Sequence, residues 1–533
     1  MSAASVVREA DHHARSFVIQ TTRRCVFRVV VLGACAHSVI ATAGDPSSMA
    51  TARIDDFCDR VWREHSIQPA AEATDSEYAR RLSLDITGSI PHAADMRTFL
   101  ADRSEIKRLR FAHAMLGGAG HVRHQMTVWH RLLLPPTMTP SVGRWHADLD
   151  AWLADQLRRD VPYDLMAHEL LTTTVTISPE IPNGRPGRPH DPSPIAFYRV
   201  NEFKPENLAA RTASVLLGID LDCAQCHDHP WKPWTKDDFA AFAAFFAGVE
   251  PTIIQSGRVV AATERRDRKT FALPNASPVN ARFLDQRTPD WPTSSSGREL
   301  LARWVTDPGN PYFARTAVNR MWSQFFGVPL ATDEDPTFME LLDELAEVFV
   351  STGYDVKVVI RAVVATRAYQ MTSETTAADH PDQERYFARM RVRALSAEQL
   401  EASIERAAGL SGIVMPVARA TFLAHFQGTE PDAASRQTSI LQSLELLNGT
   451  FVAAATNEHQ SDWLEGLAEA PWLSASERVE HLFLATCSRF PSREEQMHWC
   501  DLLESCSSVE DAKATVADVL WVLLNSSEFL FNH

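Results

Sequence analysis

Residues 221–246 read LDCAQCHDHPWKPWTKDDFAAFAAFF, and the two halves of this stretch carry different information. In the second half, Thr235-Lys-Asp-Asp238 is a capping box: a threonine hydroxyl and an acidic side chain three positions on can each satisfy a free backbone amide of a helix start. Phe239, Phe242, Phe245 and Phe246 then recur at helical spacing, so an amphipathic helix with an aromatic face is predicted. In the first half, Cys223-x-x-Cys226-His227 has the spacing used for c-type haem attachment. Two thiols three positions apart reach the two vinyl groups on one porphyrin edge, and the adjacent histidine turns under the ring to ligate iron. One covalent haem c per chain is expected. Two other readings compete. A redox disulfide would need a βαβ context, which the surrounding pattern lacks. Half a zinc site with His227 and His229 would need a second ligand pair farther along, and there is no second Cys-x-x-Cys.

Around the motif, His229 lies two residues from the proximal histidine and so stays on the same side of the ring. It is expected to hydrogen-bond nearby, tuning the iron or meeting a propionate, rather than to ligate. Trp231 and Trp234 are candidates to wall the haem edge, with an ordinary core role as the competing reading. A distal ligand must come from elsewhere, and His124 heads the candidates over His121, Met126, His130, His146 and His168. A filled sixth position suits electron transfer, and an open one suits peroxidase-like or small-ligand chemistry. The chain has no Gly-x-Ser-x-Gly, His-Glu-x-x-His or phosphate loop. The carboxylates at Asp237–Asp238 and Asp333–Asp335 read as caps or solvated faces.

Outward from this stretch the pattern is helical almost throughout. Apolar periodicity predicts helices over 52–64, 77–84, 93–100, 126–134, 148–157, 163–171 and 206–217. Residues 179–194 are rich in proline and glycine and read as a loop. Ile253–Glu264, with β-branched residues and a Ser-Gly turn, predicts a hairpin. Residues 270–296 are rich in Pro, Ser, Thr and Asn and read as a linker. Beyond them Asp355 is expected to cap a helix, and Ser396-Ala-Glu-Gln399, Ser474-Ala-Ser-Glu477 and Ser492-Arg-Glu-Glu495 are further capping boxes. The expected architecture is mainly α: a helical domain over 51–250 that contains the cysteine motif, a hairpin and linker over 251–297, and a second helical domain over 298–533.

The chain has 533 residues, a formal net charge of −16 and eight cysteines. The acidic balance disfavours a nucleic-acid footprint. The cysteines are too few for a disulfide scaffold of this length. No apolar run approaches the roughly 18 residues of a membrane span. At the N-terminus Arg23-Arg24 precedes the apolar run from Val29, and Ala41-Thr-Ala43 follows. Basic region, apolar core and small-residue site in that order predict a signal peptide over 1–43, and hence export to the periplasm or cell surface. Leu32-Gly-Ala-Cys35 resembles a lipoprotein box, which makes lipid anchoring at Cys35 the competing reading.

The motifs also resemble a family of planctomycete-type secreted proteins, in which a cytochrome c-like, mainly helical domain precedes a second conserved helical domain of unknown function. The likeness covers about Ile54 to His533. In the first half it rests on Arg81-Leu-Ser-Leu-Asp-Ile-Thr-Gly88, Asn207-Leu-Ala-Ala-Arg-Thr212 and Cys223-Ala-Gln-Cys-His-Asp-His-Pro230. In the second it rests on Asn310-Pro-Tyr-Phe-Ala-Arg315, Val318-Asn-Arg320, Ser351-Thr-Gly-Tyr-Asp355, Arg367-Ala-Tyr-Gln370, Arg393-Ala-Leu-Ser396, Leu446-Leu-Asn-Gly449 and Asn532-His533. Two positions depart from the pattern: His124-Gln-Met-Thr127 stands where the family has His-Trp-Leu-Asp, and Trp231 stands where Phe is usual. The resemblance implies export, a haem-binding label and a secreted sulfatase-like or redox partner. Together these readings point to an exported haem protein in electron transfer, coupled to oxidation of an extracellular substrate such as a glycan. A non-redox surface scaffold or glycan-binding protein and a zinc-dependent hydrolase are the alternatives. Asn319 and Arg320 are expected to be helix caps or parts of buried polar networks rather than catalytic groups.

Overall fold

The structure, a computed structural model, describes residues 44–134, 143–175, 192–253, 259–376, 379–410, 416–426, 440–457 and 461–533. The expected signal peptide, with Cys35, lies outside the described residues. So do most of the proline-rich 179–194 stretch and the Ser256-Gly257 turn.

The fold is mainly α, as the periodicity implies. The expected helices form at Pro46–Glu64, Asp75–Thr87, Ala93–Ala101, Ala119–Leu133, Gly143–Arg158, Tyr163–Thr172 and Pro205–Thr212, most of them extended by a few residues beyond the apolar pattern. The 206–217 pattern is continued after Thr212 by a π turn, Ala213–Leu217. Side-chain caps fall where the sequence places them. Thr235, Ser396, Ser474 and Ser492 each form a full capping box, and Asp355 accepts from the amides of Lys357 and Val358. A further box, Ser296 with Glu299, opens Gly297–Val305. The hairpin pairs Val249–Ile253 with Val259–Glu264, four residues earlier than the β-branched run suggests.

Residues 270–296 hold only a two-residue strand pair, Thr270–Phe271 with Val279–Asn280, yet they pack closely. Phe283 stacks on Phe245 and on Trp304 at ring distances of 4.8 and 4.9 Å, and Trp291 lies parallel to Phe245. Arg282 reaches Asp238 inside the capping box of the phenylalanine helix. A polar composition signals the lack of regular elements; it is silent about a few rings inserted between two helices.

Residues 44–533 form one compact body around two apolar clusters. The larger joins residues from Ala50 to Met390, across the 270–296 stretch, with Leu484, and the smaller joins Leu84 and Ile90 to residues from Leu395 to Phe529. The helix Asp75–Thr87 serves both: Leu82 and Ile86 face the first cluster and Leu84 the second. Every residue from Tyr78 to Ile86 is buried. The charged residues of this helix must therefore find partners in the interior. Arg80 donates to the carbonyls of Thr486 and Phe529, both at 2.8 Å. Arg81 donates to the carbonyls of Tyr369 and Met371 and to Glu77. Asp85 accepts from Arg393 Nη2, Tyr369 Oη and Asn532 Nδ2 at 2.8–2.9 Å. Burial pushes the Asp85 carboxyl up, and Arg393 and Tyr369 pull it back down. Arg393–Ala394 also pairs as a short strand with Phe531–Asn532, which brings two of these donors to one place. The motifs Arg81–Gly88, Arg367–Gln370, Arg393–Ser396 and Asn532-His533 thus meet in one buried polar centre.

Asn319 and Arg320 belong to backbone networks. Asn319 accepts from the amides of Leu330 and Ala331, and Arg320 donates to the Val215 carbonyl at 2.7 Å.

Candidate functional site

The cysteine motif follows a helix that is brought to a firm stop. The π turn Ala213–Leu217 is pinned by Arg320 and ends at Gly218, whose φ is +67°. A Cβ here would lie 2.7 Å from Thr316 Oγ1, so both the left-handed backbone and the close approach call for glycine. Ile219 and Leu221 return to the core, and one 3₁₀ turn, Cys223–Gln225, follows. Ala224 is buried and anchors this turn, while Cys223 and Cys226 are exposed and unpaired. The amides of Cys226 and His227 both donate to the Cys223 carbonyl, at 3.2 Å each, so the motif closes on itself.

His227 is exposed, and its Nδ1 lies 2.8 Å from the Asp228 carbonyl. A carbonyl only accepts, so Nδ1 is the donor, and in the neutral ring the lone pair then sits on Nε2. His229 does a different job. Its Nδ1 accepts from the amides of Trp231 and Lys232 at 3.2 and 3.1 Å, and its own amide donates to the Trp234 carbonyl. Asp228 accepts from the Lys236 amide and ties the loop to the next helix. His229 is therefore a clasp on the loop backbone through Nδ1, a role the spacing does not spell out. Trp231 is 89 % exposed at the tip, whereas Trp234 is partly buried against the core. Lys232 forms an ion pair with Asp333 at 3.7 Å, across to the second half of the chain.

His124 lies in Ala119–Leu133, which packs on Asp75–Thr87 and Gly143–Arg158, whereas the Cys223–Gln225 turn packs on Lys236–Ala243. Its ring sits over Gly88, where an added Cβ would come within 2.5 Å of Nδ1. Burial, helped by Arg131, pushes His124 down to about 4, and burial does the same to His121. Both imidazoles are neutral at neutral pH. The role visible for His124 is to fill the crossing of two helices at a glycine.

The donor set fits covalent haem. Both thiols are free and reachable, and the adjacent imidazole offers Nε2 in the tautomer that axial ligation requires. Cys223 and Cys226 would carry the group and His227 would ligate it. Zinc is fitted less well: among the described residues, no three His, Cys, Asp or Glu side chains converge to hold a metal ion. Among the described residues, no helix is long and apolar enough to cross a membrane.

Two family models match the chain. Residues 53–251 match PSCyt2, described as a protein of unknown function (DUF1549), and residues 297–415 match PSD1, described as a protein of unknown function (DUF1553). Neither description names a cytochrome. No curated protein and no solved structure matches. Two stretches of the chain thus match, in this order, two domains of unknown function typical of planctomycete proteins.

Proposed function

We propose that this protein is exported and carries one haem c at Cys223, Cys226 and His227, and that it serves electron transfer coupled to oxidation of an extracellular substrate such as a glycan. The observation that carries this reading is the pairing of two exposed free thiols with a histidine whose Nδ1 is engaged and whose Nε2 is available. Bound haem supplies one-electron chemistry. The protein holds the attachment turn closed through the Cys223 carbonyl, fixes the His227 tautomer through the Asp228 carbonyl, and keeps the flanking loop in shape through His229. A sulfatase-like secreted protein or a redox protein is the proposed partner.

The test is absorbance and a haem stain on denaturing gels, using protein purified from an exporting, haem-attaching host. A Soret band, an α-band on reduction and a stained polypeptide are expected, and Cys226→Ser should lose the stain. An unstained, colourless wild-type protein would refute the reading. A second reading, a non-redox scaffold or glycan-binding protein, is favoured by the shared core of residues 50–390, which joins the two matched regions in one body. It expects Cys226→Ser to keep full partner or glycan binding. Metal analysis showing zinc without iron would instead promote the hydrolase reading.

A further inference from the structure

A half-enclosed cavity of about 220 Å³ lies between the loop after helix Phe313–Phe326 and residues 385–391. Leu330, Phe338 and Phe387 give it an apolar floor, and the carboxylate of Asp335 also lines it. That floor is firm: Phe387 packs edge-on against Phe326 and Phe338 at 5.1 and 5.0 Å. Asn319 holds the backbone of Leu330 and Ala331 through three hydrogen bonds. Arg385 and Arg391 stand in the wall. Arg385 spends Nε on Asp335 at 3.0 Å. Arg391 Nε is buried without a hydrogen-bond acceptor, with Glu384 Oε2 3.4 Å away. Among the described residues, no Nη atom of either arginine has a hydrogen-bond acceptor.

Each guanidinium is ion-paired at Nε, Arg385 with Asp335 of the same lining and Arg391 with Glu384, and offers its open Nη pair, beside apolar rings, to a planar oxyanion on an apolar body. A fork binds a carboxylate through two parallel N–H···O bonds, and the floor takes up the ring by exclusion of water. The volume is below the roughly 300–1,000 Å³ of drug-sized pockets, which limits the ligand to a single ring. We propose that this cavity binds a small carboxylate carried on an apolar ring. Its rim adjoins the cysteine loop, because Thr332 in the wall neighbours Asp333, the partner of Lys232. The inference does not rest on haem, and the Cys226→Ser protein should bind the same ligand.

Calorimetry with the full chain tests it, using benzoate, neutral benzamide and inorganic sulfate. Saturable benzoate binding is expected, about tenfold or more tighter than either comparison ligand. Arg391→Gln should weaken it by about tenfold or more. Val328→Trp fills the cavity from its rim and leaves both guanidinium groups in place; it should abolish binding while the protein melts as wild type does. If Arg391→Gln fails to fold, Val328→Trp decides the matter alone. Absence of benzoate binding, equal binding of benzamide or sulfate, or undiminished binding by Val328→Trp would overturn the proposal.

Discussion

The Cys223–Trp234 loop and the Asp85 centre both carry distinctive sequence motifs, and they are held in opposite ways. The loop is held mainly by bonds between residues a few positions apart, such as the His229 imidazole to the amides of Trp231 and Lys232, and its thiols face water. The Asp85 centre is held by bonds that span 284 to 447 positions and is shut off from solvent. The exposed thiols sit on a turn whose own backbone supplies its hydrogen bonds. A buried charge needs partners from several elements at once, because each unmet bond in the interior costs about 1–3 kcal/mol. Exposure leaves the loop open to the chemistry proposed for it, and burial marks the centre as the joint between the two halves of the chain.

The contrast breaks most directly at Asp85. Asp85→Ala leaves Arg393, Tyr369 and Asn532 without their acceptor inside the core, and a loss of about 3–5 kcal/mol is expected. Urea unfolding measures it, and a loss below about 1 kcal/mol would mean that the centre is not the joint described here. Next comes Glu405 in helix Ala397–Ala407, which burial and the neighbouring Glu401 push up to about 7. Its folded value lies above the ordinary 4.5, so its contribution is whole below about pH 4.5 and is lost as pH rises through 7. Glu405→Gln should therefore stabilise the protein by about 1–2 kcal/mol at pH 8, less than the full displacement implies because water reaches the group, and by nothing at pH 4. Thermal melts at the two pH values check this.

Glu495 gives a smaller effect of opposite sign. Hydrogen bonds from Arg489 hold its carboxyl down to about 2, so its contribution is present above pH 4.5 and is lost as pH falls toward 2. The two side chains are still about a third exposed and screened by water, so Glu495→Gln should cost under about 1 kcal/mol at pH 7, and the difference should vanish below about pH 2. The smallest effect is expected at the loop tip. Trp231→Ala removes a ring that is 89 % exposed, and stability should stay within about 0.5 kcal/mol of wild type by urea unfolding. A larger loss would bring the loop closer in kind to the buried centre.

Local physics was legible in the sequence wherever a few adjacent residues decide the outcome. Four Ser/Thr capping boxes and the Asp355 cap form as read, because a cap needs only its own next few residues. The helical class follows from apolar spacing alone. The cysteine–histidine spacing puts two thiols and an imidazole on one short turn because the three residues are near neighbours in sequence. Other features were out of reach. Nothing near Asp228 or His229 announces that their side chains would hold the loop backbone, since that depends on where the chain turns at Trp231 and Lys232.

By itself the sequence determined the helices, their caps, and which thiols and imidazole stand together at Cys223–His227. The tertiary structure alone decided that 270–296 inserts its rings into the core, that His124 fills a helix crossing at Gly88, and that Asp85 meets Arg393 and Asn532. The reason is range. Hydrogen bonds and capping act over a turn of chain, and so they are written in neighbouring letters. Burial is a property of the finished body, and the partner that satisfies a buried charge can come from anywhere along the chain.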